Sequence, residues 1–266
     1  MLRNAFAYIT RKWPKSLLLF AIILLMGTLS LIGLSMKGAT QKASSESLGS
    51  ITNSFSMQIN RRTNPGTPRG AGNLRGEDIE KISQVEGITS SIKRINAIAD
   101  ILDHEIIETE ETLQNQSPER AKHFKNTLMV TGVNDSSKED KFVSGAYKLV
   151  QGEHLTDKDK NQILMHEDLA KKNGLKVGDK VRLKSNLYDA DNEKGANETV
   201  EVTIKGLFSG KNQAPLTYAQ ELYEDTLISD LDTAAKLYGN TVQTATYEDA
   251  TFFAKGDQDL DKLIEK

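Results

Sequence analysis

The run Ile163-Leu-Met-His-Glu-Asp-Leu-Ala-Lys-Lys-Asn-Gly-Leu-Lys-Val-Gly-Asp-Lys-Val-Arg-Leu183 changes its pattern twice within a short distance. Gln162–Met165 predicts a strand and His166–Lys172 a helix, which Asn173-Gly174 ends with a left-handed cap. Leu175–Asp179 then turns the chain, and Val181 and Leu183 alternate with charged residues as in a half-buried strand. Toward the C-terminus a polar hairpin spans 185–198, and Val200, Val202, Ile204 and Leu207 mark its return strand. Short strands at 226–229 and 245–254 then alternate with helices at Leu231–Tyr238 and Leu260–Glu265. Toward the N-terminus, Tyr147–Gly152 leads into an acidic turn, and Thr127–Val133 is a strand closed by a turn at Asn134-Asp135. The acidic run 105–123 contains Pro118 and predicts a surface insertion. Ile88–Leu102 reads as a strand anchored by Ile92, Ile95, Ile98 and Ile101, preceded by a helix with Ile79, Ile82 and Val85 on one face that ends at Gly87. Residues 61–73 are a Pro/Gly-rich loop, and Phe55, Met57 and Ile59 alternate as a strand. Strands separated by short helices predict a mixed α+β domain, and no fixed-period repeat is present.

The N-terminus is different in kind. Ser16–Met36 reads SLLLFAIILLMGTLSLIGLSM, without a charge. At helical rise this is roughly 31 Å, the thickness of a bilayer's hydrocarbon core, and only a helix satisfies its own backbone there. Arg3, Arg11, Lys12 and Lys15 precede it with no acid among them, so the N-terminus is expected in the cytoplasm. The whole chain carries −3 and that flank carries +4, which leaves −7 for the part beyond the span. A cleaved signal peptide has the same charge polarity but a shorter apolar region, about 7–15 residues. No small-x-small site follows Met36 directly, and a buried core helix would be shorter or patterned, so a retained anchor is the favoured reading. In residues 1–15, Leu2, Phe6, Ile9 and Trp13 form one helical stripe, predicting a cytoplasmic amphipathic helix on the inner leaflet that Pro14 separates from the span. Residues 37–53 are a polar stalk or linker, and 54–266 form the extracytoplasmic domain. Gly27, Ser30, Gly33 and Ser35 are small enough to let another helix approach, or are simply common in such spans.

Composition removes several classes of function. With no cysteine, there is no disulfide framework, thiolate metal site or cysteine nucleophile. No phosphate-binding loop, dinucleotide fingerprint or nucleophile elbow is present. His104-Glu and His166-Glu each begin the zinc motif H-E-x-x-H, but Glu108 and Ala170 stand where its second histidine belongs. His123 and His154 lie elsewhere, and the acidic run at 105–111 reads as a solvated face. Catalytic, cofactor-binding and metal residues are therefore expected to be none, and the acidic domain is not expected to bind nucleic acid.

Several segments carry a family likeness in their order. They are Lys15-Ser-Leu-Leu18 entering the span, Leu48-Gly-Ser-Ile51, Asp78-Ile-Glu-Lys-Ile-Ser-Gln-Val-Glu-Gly87, Val130-Thr-Gly-Val133, Leu149-Val-Gln-Gly152, the run 163–183, and Val202-Thr-Ile-Lys-Gly-Leu207. Together they resemble the N-terminal part and extracytoplasmic core domain of MacB-like, FtsX-related ABC transporter permeases, with streptococcal-type Vex permeases especially similar. The resemblance implies a bacterial cell-membrane protein with a MacB periplasmic-core-like α+β domain, extracellular or periplasmic. It implies partnership with a separate cytoplasmic ABC ATPase subunit and with a second permease subunit, identical or different. Such permeases carry three further spans after this domain, and the sequence stops at Lys266 without them. It is therefore expected to be a truncated, single-pass N-terminal portion that does not transport alone. A mechanical coupler of ATP hydrolysis, not an enzyme, is the leading expectation. The alternatives are a signal-anchored ligand-binding or sensor domain and, more remotely, an anchored metallohydrolase.

Overall fold

The computed structural model describes residues 54–58, 74–212, 216 and 218–254, together with 14, 24, 26 and 27. The amphipathic segment 1–15, the stalk 37–53, the loop 61–73 and the helix expected at 260–265 lie outside the described residues, apart from Pro14. So does the expected span, apart from Leu24, Met26 and Gly27, which are helical. Among the described residues no helix is long and apolar enough to cross a membrane. The chain divides into two compact units, Met1–Asn53 and Ser54–Lys266. All the described strands belong to the second.

That unit is a mixed α+β domain. Its strands are β1 (Ser54–Gln58), β2 (Leu74–Arg75), β3 (Ile88–Leu102), β4 (Thr127–Val133), β5 (Lys148–Gly152), β6 (Gln162–His166), β7 (Lys180–Ser185), β8 (Thr199–Ser209), β9 (Thr226–Asp230), β10 (Thr246–Tyr247) and β11 (Asp249–Ala254). Short helices punctuate them: α1 (Gly76–Ser83), α2 (Glu110–Gln114), α3 (Pro118–Phe124), α4 (Asp140–Val143), α5 (Glu167–Lys172) and α6 (Leu231–Lys236). The main sheet runs β1-β11-β3-β4-β9-β6-β8-β5, and β7 pairs with both β3 and β8. Those last two pairings close a ring, β3-β4-β9-β6-β8-β7 and back to β3. β3 makes this possible by its length: Arg94–Asp100 pairs with β4, Ile88–Arg94 with β11, and Ala99–Leu102 with β7. The strand β1 lies antiparallel to β11, with Ser54 opposite Phe253, and Phe55 stacks on Phe252 at 5.2 Å.

Alternation decides which side of each strand is inside. Ile95, Ala97, Ala99 and Ile101 of β3, Val181 and Leu183 of β7, and Val202 and Ile204 of β8 join one core with Leu128, Val130, Ile163, Met165 and Leu227. The intervening residues Leu164 and Ile228 face the other way, into a second core with Val133, Tyr147, Leu155 and Phe208. β3 covers the residues expected of it, Ile88–Leu102. Of its four apolar anchors, Ile95 and Ile101 point into the first core, and Ile92 and Ile98 fall, half-buried, on the opposite face. The acidic run 105–123 is also more than a surface insertion: it contains α2 and most of α3, and it buries Ile106 and Thr112. The stretch 245–254 resolves into two strands, β10 and β11.

The run 163–183 folds as its pattern predicts. β6 passes directly into α5, and Gly174 takes φ +65 after the Asn173 C-cap. A second strand-to-helix junction, β9 into α6, is held by Asp230. Its carboxylate accepts from the Thr233 amide at 2.9 Å, the Thr233 hydroxyl at 2.8 Å and the Gln162 amide at 2.9 Å. One capping side chain thus ties α6 to the start of β6.

Candidate functional site

β6 and β8 run parallel and finish together, His166 opposite Phe208. On the other side of β8, the edge strand β5 begins with Lys148 opposite Ser209. A cleft of about 690 Å³ opens where these ends meet, bounded by Ser144–Ala146, Lys148, His166–Asp168, Ser209–Lys211 and Tyr223. Crevices beyond the carboxyl ends of parallel strands are common ligand positions, because the backbone there diverges into different connections.

His166 organises this end of the domain. It is 1% exposed. Its Nε2 donates to the Gly210 carbonyl at 2.9 Å, and its Nδ1 accepts from the Asp168 amide at 3.1 Å, capping α5. These two bonds select the neutral tautomer with hydrogen on Nε2. Replacing His166 by alanine strands the Asp168 amide and the Gly210 carbonyl, with an expected loss of about 1–2 kcal/mol in a urea titration. His166→Asn, which also caps, is expected to recover part of it. An unchanged midpoint in H166A would remove the histidine from this role.

Behind the cleft lies an aromatic cluster. Tyr147 packs against Phe208 at 4.5 Å, Tyr223 at 4.8 Å and Phe142 at 5.5 Å, while His166 meets Phe208 edge-on at 5.3 Å. The ammonium of Lys141 sits over the rings of Tyr147 and Tyr223 and donates to the Tyr147 hydroxyl at 3.2 Å. Burial holds this amine below its ordinary value, against the pull of Glu139. Burial likewise raises Glu139, whose carboxylate caps α4 by accepting from the Lys141 amide at 2.8 Å. Arg94 reaches Glu139 at 3.9 Å and Asp140 at 3.2 Å and pairs with Asp249 on β11. Charge pairing thus runs from β11, through β3, to the short helix beside the cleft.

The four histidines are not gathered into one site. His166 and His154 touch the aromatic cluster from different members, Phe208 and Phe142, and His154 also bonds Ser136 at 2.9 Å. His123 packs against Tyr188, tilted, with ring centroids 3.6 Å apart, near Glu119, and His104 lies in the turn after β3. Among the described residues no group of three or more His, Cys, Asp or Glu is placed to hold a metal. The capping role of His166 is missed by motif reading. Its signal is positional, a hydrogen-bonding side chain immediately before Glu167-Asp168 at a helix start.

Fold and cleft together define a mixed α+β domain whose sheet closes through a shared long strand and opens a polar crevice at one end. The sequence profile of the MacB-like periplasmic core domain matches residues 16–263, and the chain belongs to that family. Solved structures similar to it include the periplasmic region of MacB from Actinobacillus actinomycetemcomitans, with 16% identity over 82% of this chain and 83% of that one, at a TM-score of 0.45. The extracellular domain of the noncanonic ABC-type transporter YknZ from Gram-positive bacteria shares 13% identity over 79% and 86%, at a TM-score of 0.42. No curated protein sequence matches the chain.

Proposed function

We propose that this chain is the N-terminal portion of an ABC-transporter permease subunit. Its first span holds an extracytoplasmic domain that moves in response to ATP hydrolysis by a separate cytoplasmic subunit. The family match across 16–263 carries this reading, and the uncharged stretch 16–36 after a basic flank supports the anchor and its orientation. The domain acts by moving and packing, catalyses nothing, and works beside a second permease subunit. This is a mechanical role of the hinge-and-shear kind, in which surfaces matter more than reactive groups.

The absence of cysteine gives a clean topology test. A single Lys158→Cys chain is expected to react with a membrane-impermeant maleimide on intact cells, and a single Asn4→Cys chain only after lysis. The reverse pattern would overturn the orientation. For the partner, affinity capture of the permease from detergent-solubilised membranes is expected to recover an ABC ATPase, and repeated failure would sink the permease reading. The open cleft beside His166 favours a second reading, a signal-anchored ligand-binding domain. It predicts a small ligand that raises the domain's melting temperature without any ATPase in the complex.

A further inference from the structure

Beyond β3 the chain turns at Asp103, with φ 62, and runs as a strap, residues 105–109, before α2 begins. The strap's backbone is held by side chains. Asn173 clasps Glu105 from both sides, amide to Oδ1 at 2.9 Å and Nδ2 to carbonyl at 2.8 Å. Lys172 donates to the Ile106 carbonyl at 2.7 Å, and the Ile107 amide donates to Asp225 Oδ1 at 2.8 Å. Ile106 itself is buried in the main core.

Asp225 is the unusual member of this set. It is 0% exposed, and its second oxygen, Oδ2, is buried with no hydrogen-bond partner among the described residues. The neighbouring Glu224 has its Oε2 in the same condition. A neutral acid tolerates such a place far better than a carboxylate, whose bare oxygen loses all its hydration. We propose that Asp225 is a proton-operated latch: protonated, it fastens the strap 105–109 to the sheet, and ionised, it releases it.

The charges around it support this sense. Burial, then Glu224 in its own turn and Glu108 on the strap, push the Asp225 carboxyl up from 3.8 to about 8, against the opposing Ile107 amide and Lys172 of α5. Lys172 is partly committed elsewhere, with Glu105 at 3.5 Å. The latched pKa lies above the value of a released, solvated carboxyl, so latching takes up a proton. Latching is therefore fully favoured below the released value near 3.8, weakens as pH rises through neutrality, and levels off above about 8. Within that window the opening equilibrium grows about tenfold per pH unit. Because the carbonyl of Asp225 also accepts from the Met129 amide at 3.1 Å, the ladder into β9 stays fixed while the strap moves.

Hydrogen exchange of the Ile107 amide in the full chain tests this, with rates corrected for intrinsic base catalysis. Between about pH 5 and about pH 8 protection is expected to fall about tenfold per unit and then flatten. Asp225→Asn keeps the Oδ1 acceptor but cannot ionise, so its protection is expected to be independent of pH. Asn173→Ala removes a clasp that does not titrate, so it is expected to lower protection at every pH while keeping the wild-type slope. A flat wild-type profile, or a slope retained in D225N, overturns the latch. Should D225N fail to fold, the wild-type and N173A slopes decide alone.

Discussion

Truncating Phe208 to alanine is expected to lower the unfolding free energy by about 3–5 kcal/mol, among the largest losses any single side chain of this domain can cause. Phe208 is fully buried and contacts Tyr147 at 4.5 Å, His166 at 5.3 Å and Phe142 at 5.8 Å. Its strand position faces Leu149 of β5 on one side and His166 of β6 on the other. Removing the ring opens a cavity at the junction of three strands and withdraws the surface on which His166 rests. Phe208→Leu keeps most of the volume and is expected to cost less than about 1.5 kcal/mol, plus the aromatic contacts. Urea titrations of both variants check this. A loss below about 1 kcal/mol in F208A would mean that the second core collapses onto the gap and is not the rigid support described here.

The second large effect is expected at Gly152. This residue has φ +79, and a Cβ added to it would stand 2.1 Å from the Lys205 carbonyl oxygen and 2.6 Å from Gly206 Cα. Backbone cannot withdraw as a flexible side chain can, so β5 and β8 would have to separate at that rung. The expected cost of Gly152→Ala is on the order of 3 kcal/mol or more. Gly145 supplies the control: its φ is +78, but nothing lies within 4 Å of an added Cβ. Gly145→Ala therefore carries only the conformational strain, about 1 kcal/mol. Equal losses in the two variants would show that strain, not the close approach of the strands, makes glycine necessary at 152.

What the sequence discloses and what it withholds follow from the range of the interactions. The strand-helix-strand run 163–183 is legible because each part is decided locally, by alternation at Val181 and Leu183 and by a left-handed residue at Gly174. The closure of the ring is not legible. The pairing of Ala99–Leu102 with Arg182–Ser185 joins residues about eighty or more positions apart, and no local periodicity reports it. The inward face of β3 is only partly legible for a related reason. Small residues, Ala97 and Ala99, share the inward face with Ile95 and Ile101, so the isoleucines alone do not mark it. The polar hairpin 185–198 hides buried pegs as well. Asn186 donates to Asp100 at 3.0 Å and to the His123 carbonyl at 2.9 Å, and Asn192 donates to the Asn186 carbonyl at 3.0 Å. In a polar run, a satisfied buried amide and a solvated one are spelled with the same letter. The cleft was equally hidden, because its residues come from four separate parts of the chain and form no motif.

The pairing of Ser54 with Phe253 has a consequence of another sort. The chain enters the sheet on β1 and leaves it on β11 side by side, so both leads emerge from one corner. A pull that carries the two leads together moves the whole domain as a load, with little strain on any single hydrogen bond. A pull that splays them apart bears on one rung at a time, beginning at Ser54, and opens β1 from β11 like a zipper. Leads at opposite tips would instead have loaded several rungs in parallel. A splaying pull therefore opens the sheet first at this one edge, whereas a shared displacement leaves the β1–β11 ladder intact.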